Sequence, residues 1–185
     1  MRKVISLLVF ILFFVGLSLD INGQVRKKSS TKKTTKEKKE QVNLMDKINP
    51  EIKFGNLGFF NGFSISSKLN IGYKLSERFT LGLGGKLFFD QIVVVGASDP
   101  SNFDYGGLAF ARGKVTNDIY IQAEYAFMKY DFYETNLNYP LIGAGYMSGI
   151  GKWRFGIELL YIANEQARDF QGSIVEYWFG ASYNF

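Results

Sequence analysis

In the C-terminal three-quarters of this chain, the charged residues inside the clearest strand-like runs share one parity of an apolar–polar alternation, and that sorting limits the fold more than any other feature. In residues 63–74, Phe63, Ile65, Leu69, Ile71 and Tyr73 share one face, while Ser64, Ser66, Lys68, Asn70 and Lys74 share the other. Period two marks a strand with one apolar and one polar face. The same pattern recurs in residues 79–89, 119–128, 153–162 and 175–185. Lys68, Lys86, Glu124, Arg154, Glu158 and Glu176 all take the polar parity. Weaker runs at 52–60, 103–113 and 139–150 bring the expected strands to eight, and no stretch after residue 50 carries a helical stripe. The expected fold is all-β, an eight-stranded antiparallel up-and-down barrel.

The connections support closure. Asn61 and Gly62 form a tight hairpin signal, since both tolerate positive φ. Residues 75–78, 114–117 and 149–152 are short turns, whereas 92–102, 131–138 and 163–172 read as longer, more polar loops. Every second connection falls at the same end of an up-and-down barrel, so the three short turns share one rim and the longer loops share the other. Membrane barrels have that arrangement, with short periplasmic turns and longer outer loops.

Such a sheet can be a water-soluble cup with an apolar interior or a transmembrane barrel with an apolar exterior. Three observations favour lipid outside. Aromatics gather near strand ends: Tyr73, Phe79, Trp153 and Phe185 toward one rim, and Phe59, Phe60, Phe89, Phe103, Phe132, Tyr133, Tyr139 and Tyr161 toward the other. Two such bands match the girdles at membrane interfaces. Most expected strands meet the roughly 9–11 residues a crossing needs. The closing run resembles the signal read by the barrel-assembly machinery of outer membranes, with Tyr177, Phe179, Tyr183 and Phe185 on its outward face. An Arg or Lys facing lipid at mid-bilayer costs roughly 2–4 kcal/mol. The polar parity must therefore point into the lumen.

The first residues differ from the rest. Met1, Arg2 and Lys3 precede an apolar run over 5–19, then a polar stretch with small Gly23, which reads as a signal peptide over 1–23. Residues 24–48 read as a basic, disordered periplasmic linker, since 26–40 hold eight basic residues, two acidic ones and nothing apolar to bury. The net charge of +5 thus belongs to this tail, and the barrel expected over 49–185 is slightly acidic. A solvated spacer is the simplest reading of the tail. An arm touching peptidoglycan or anionic lipid is the sharper one, and export makes nucleic acid no partner.

Four segments carry a resemblance. Residues 70–84 read NIGYKLSERFTLGLG and 105–112 read YGGLAFAR; Gln122, Ala123, Glu124 and Tyr125 follow, then Gly143, Ala144, Gly145 and Tyr146. Their motifs and order resemble small outer-membrane β-barrels of Bacteroidota, from about residue 50 to the end. The resemblance implies an outer-membrane location and supplies no reaction. Leu108 stands where that family often carries Arg.

Lys68, Lys86, Arg112, Glu124, Arg154, Glu158 and Glu176 are expected to form a structural charge network filling the lumen, with Glu124 and Arg112 paired across neighbouring strands. Eight strands leave an interior just wide enough for side chains to fill, which disfavours a porin. The chain has no His and no Cys. That closes histidine-dependent hydrolysis, thiolate metal sites, disulfides and lipidation at cysteine. Asp99, Asp104, Asp131 and Glu134 are left as loop carboxylates, and residues 82–85 and 143–145 lack the strand-to-helix context of a phosphate loop. No catalytic, cofactor or metal residue is assigned. The expected role is non-enzymatic, structural or surface-interacting, with outer-membrane lipid and the assembly machinery as partners. The alternatives are an accessory subunit of a larger secretion, assembly or gliding complex, and a soluble periplasmic lipid-binding barrel. The residues identify no protein partner.

Overall fold

The computed structural model describes residues 44–59, 62–92 and 101–185. After a single 3-10 turn at Leu44–Asp46 come β1 (Ile48–Gly58), β2 (Gly62–Lys74), β3 (Phe79–Ile92), β4 (Ser101–Lys114) and β5 (Ile119–Tyr130). β6 (Thr135–Ser148), β7 (Trp153–Ile162), a short helix α1 (Glu165–Gln171) and β8 (Val175–Tyr183) complete the chain. All neighbouring strands pair antiparallel, and β1 closes on β8 from Glu51↔Ser182 to Gly55↔Trp178, giving a closed eight-stranded barrel. The expected signal peptide, all but the last residues of the linker, the turn residue Asn61 and most of the loop over 92–102 lie outside the described residues.

The turns show why the chain reverses where it does. At 75–78 the Ser76 hydroxyl accepts from the Phe79 N–H at 3.0 Å; at 115–118 the Thr116 hydroxyl accepts from the Ile119 N–H at 2.9 Å. In each, the first turn residue (Leu75, Val115) donates its N–H to the carbonyl of the first residue of the next strand at 2.9 Å. These turns and the one at 149–152 lie at the end where β1 begins and β8 finishes, here called the terminal rim. The opposite end, which carries α1, is the helix rim.

Two connections depart from expectation. The 131–138 loop is only the four residues between Tyr130 and Thr135, because strand pairing continues to Tyr130↔Thr135. Asp131 O accepts from the Glu134 N–H at 3.1 Å, and Glu134 takes φ 46°. The 163–172 loop contains α1, although no helical stripe was expected. Asn164 caps its start by accepting from the Ala167 N–H at 2.9 Å, and Gly172 ends it at φ 61°, in the left-handed region that glycine enters without cost. A seven-residue helix makes fewer than two full turns, so caps define it better than periodicity does.

The strand charges are sorted almost completely by face. Among the fourteen charged residues in the eight strands, Lys129 alone has the outward parity, and it sits one residue from the end of β5. Outward positions are Leu, Ile, Phe and Tyr along the barrel, such as Ile71, Leu83, Phe127, Ile142 and Ile157, each at least 49% exposed.

Candidate functional site

The lumen is the one place in the described chain where chemically active groups converge. Strand pleating alone delivers them there. Glu51 and Lys53 come from β1, Lys68 from β2, Lys86 from β3, Arg112 from β4, Glu124 from β5, Glu158 from β7 and Glu176 from β8, and all eight are buried. Four carboxylates meet four cations, so the cluster is neutral.

The ion pairs run in strict alternation. Arg112 grips both Glu51 oxygens, and Glu51 also meets Lys53 at 3.1 Å. Lys53 reaches Glu158 at 2.7 Å, and Glu158 reaches Lys68 at 2.5 Å. Lys68 lies 3.3 Å from Glu124, Glu124 pairs with Lys86, and Lys86 ends on Glu176 at 2.6 Å. Every inner member touches at least two opposite charges, Glu158 also lying 3.8 Å from Arg112, which offsets the several kcal/mol of desolvation that burying each ion costs.

Aromatic and amide groups add further contacts to the ladder. Tyr120 OH donates to Glu158 at 2.7 Å, and its ring lies 4.4 Å from the Arg112 guanidinium carbon. Gln122 accepts from Arg112 Nε at 2.9 Å and donates to Glu124 at 3.2 Å. Lys68 Nζ sits 4.6 Å over the Trp178 ring, whose N–H donates to Glu176 at 3.1 Å. A side chain at Gly145 would overlap the Tyr120 ring, so that position is bare because the ring lies on it.

Toward the helix rim the filling turns apolar. Phe88, Met128, Leu141, Leu160 and Trp178 pack together beneath α1, with Ala167 of the helix buried among them. Gln171, the last residue of α1, donates to Tyr139 OH at 2.6 Å, Tyr130 OH at 3.0 Å and Glu176 at 3.3 Å. The Phe170 ring stacks on Tyr133 at 4.0 Å between centroids. The helix thus closes this end of the lumen and is tied to the last carboxylate of the ladder.

Six of the seven expected network residues, Lys68, Lys86, Arg112, Glu124, Glu158 and Glu176, come together here. Arg154 does not: it lies at the terminal rim and pairs with Asp118 of the 115–118 turn at 3.0 Å. The expected Arg112–Glu124 pair is not formed either. Arg112 takes Glu51, and Glu124 takes the two lysines, because Glu51 projects across the lumen from the strand that closes the barrel. Glu51 and Lys53 were missed. Their signal is the alternation of Glu51, Lys53 and Gly55 with Ile52 and Phe54, at the very start of a run read only as a weak strand.

Two aromatics also change face. Tyr139 was expected in an outer girdle and is buried in the lumen, with its hydroxyl 3.3 Å from Glu176. Tyr177 and Phe179 do point outward, and Tyr183 packs on Trp153 at 5.2 Å. Phe185, however, turns inward, 5.4 Å from the Tyr120 ring and 4.2 Å from Lys114 Nζ. The cause is Asn184, whose φ of 58° breaks the alternation and whose amide donates to Asp46 O at 2.6 Å and Ile48 O at 3.1 Å. Of the loop carboxylates, Asp104 serves the backbone, accepting from the Asp131 N–H at 2.7 Å. Asp131 pairs with Lys129 at 3.3 Å, Glu134 shapes its turn, and Asp99 lies outside the described residues.

No protein-family model matches the chain, and no curated protein matches it. Among solved structures, it is similar to the Yersinia pestis outer membrane protein Ail in a phospholipid bilayer nanodisc. The two are 11% identical, with a TM-score of 0.45 over 74% of this chain and 96% of that one.

Proposed function

We propose that this chain is a non-enzymatic β-barrel protein of a bacterial outer membrane, with a sealed interior and a structural or surface-interaction role. One observation carries the reading: the sorting of strand charges, all but Lys129 inward, around an apolar exterior. In water that exterior would be a continuous apolar patch far beyond the few hundred Å² a soluble monomer exposes. In lipid it is the required surface, and only closed barrels and helices satisfy their backbone there. A soluble lipid-binding cup needs an apolar cavity, whereas this lumen holds a neutral ion-pair ladder below an aromatic plug. The short turns then face the periplasm together with the basic linker over 24–48, and α1 faces outward.

The test is envelope fractionation followed by electrophoresis of boiled and unheated samples. Recovery in the outer membrane with a heat-dependent mobility shift supports the reading. Recovery in the soluble periplasm refutes it.

A further inference from the structure

The outer wall of the barrel is not uniformly convex. A groove of about 1010 Å³ runs over β2, β3 and β4 from the terminal rim to mid-barrel. Leu69, Ile71, Leu81 and Leu83 line it together with the small residues Gly85 and Ala109. Gly85 lies directly opposite Gly107 on β4. Neither glycine has positive φ, and a Cβ would have 3.6 Å at Gly85 and 3.8 Å at Gly107 to its nearest neighbour, so folding does not require glycine at either position. From Leu81 to Gly85 the groove extends about 13 Å at the usual strand rise, close to the half-thickness of a bilayer's hydrocarbon core.

The end of this groove at the terminal rim is cationic. Lys47 holds its ammonium 5.8 Å over the ring of Tyr73, which also lines the groove. Arg78 lies in the turn that joins β2 to β3. Neither has a carboxylate within 4 Å among the described residues; Lys74 and Lys114 on the same rim also lack one, but they have the inward parity and reach Asn184 and the Phe185 ring, while Lys152 and Arg154 are both paired. Two uncompensated cations at interfacial depth, above an apolar channel one leaflet long, match an anionic phosphate joined to an acyl chain.

We propose that this groove is a specific phospholipid site, with the acyl chain along Gly85 and Ala109 and the phosphate held by Lys47 and Arg78. The site rests on the membrane reading above and adds to it, since ordinary surrounding lipid would exchange freely and need no cations at this one place.

The full chain, reconstituted in vesicles of equal parts phosphatidylethanolamine and phosphatidylglycerol, is extracted in mild detergent and delipidated stepwise under native mass spectrometry. A single phospholipid should persist on the wild type. Lys47→Gln and Arg78→Gln should each weaken retention roughly fivefold, the upper range for one exposed ion pair. Gly85→Leu, which has room to fold, should displace the chain while leaving the heat-dependent mobility shift unchanged. Equal retention by all four proteins, or no retained lipid on a heat-shifting wild type, means surrounding lipid only and overturns the site. A chain that fails to enter the vesicles refutes the membrane reading, and the site with it.

Discussion

Replacing Glu158 with Gln tests the ladder at its most connected carboxylate. Glu158 meets Lys53 at 2.7 Å, Lys68 at 2.5 Å and the Tyr120 hydroxyl at 2.7 Å, all buried. The substitution keeps the volume and removes one negative charge, leaving four cations against three carboxylates. Breaking a buried pair from one side costs about 3–5 kcal/mol, since the partner stays buried and unneutralised. Two lysines and, at 3.8 Å, Arg112 lose a partner here, but Arg112 and Lys53 keep Glu51 and Lys68 keeps Glu124, so the expected loss lies near the middle of that range, about 4 kcal/mol. The weakened Tyr120 contact falls within the same figure. The sharper readout is compensation: adding Lys68→Met to Glu158→Gln restores neutrality, so the double variant should be more stable than Glu158→Gln alone by about 1–2 kcal/mol. Urea unfolding in phospholipid vesicles, followed by fluorescence, measures both; Trp178 reports the ladder and Trp153 the rim. A single variant that loses less than about 1 kcal/mol would sink the claim that the ladder is held by mutual neutralisation. So would a double variant no more stable than Glu158→Gln.

Other perturbations address the remaining features. Ile157→Lys puts a charge on the outer face at mid-strand and should cost about 2–4 kcal/mol in vesicles, and a neutral result would argue against lipid contact there. Gln171→Ala removes three donor contacts that tie α1 to the lumen; trypsin cleavage after Arg168 in the folded barrel should accelerate, and an unchanged rate would mean that the caps and Phe170 suffice. Arg112→Lys keeps the charge but loses the fork that grips both Glu51 oxygens, for an expected cost of about 1–3 kcal/mol by the same unfolding assay. Planar-bilayer recordings should show no steady conductance of porin size, and such a conductance would contradict a filled lumen.

Much of the barrel is legible in the sequence because period two is a direct image of the pleat. A residue's parity says which side of the wall it occupies, so Lys68 and Glu158 could be placed inside with no knowledge of their partners. Partner choice is another matter. Arg112 lies beside Gln122 on the next strand, and strand adjacency directs attention to Glu124 nearby. Its actual partner, Glu51, reaches it across the lumen, and that distance depends on how the closed sheet staggers, which parity does not encode. Tyr139 and Phe185 failed for a related reason. Tyr139 was assigned from its aromatic type and rim position although it has the inward parity, and Phe185 also from a parity that Asn184 cancels. The helix was missed because its determinants are two caps, Asn164 and Gly172, around too few residues for a stripe.

The lumen's arrangement also explains why eight charges can be buried in so small a barrel. A lone Lys68 would leave a buried charge with no counter-charge. Between Glu124 and Glu158 it is compensated on both sides, and each glutamate is in turn shared with a second lysine. Alternation makes the cost of each ion common to two pairs, but a chain of pairs must still end somewhere. At one end Arg112 grips both Glu51 oxygens and lies 3.8 Å from Glu158, and Gln122 of the neighbouring strand accepts from its remaining N–H groups. At the other, Glu176 has a single cation, and three neutral donors, from Trp178, Tyr139 and Gln171, complete its coordination. The α1 helix is therefore more than a lid on the barrel. Through Gln171 it supplies part of the ending that lets the ladder stop beneath an apolar layer rather than continue to water.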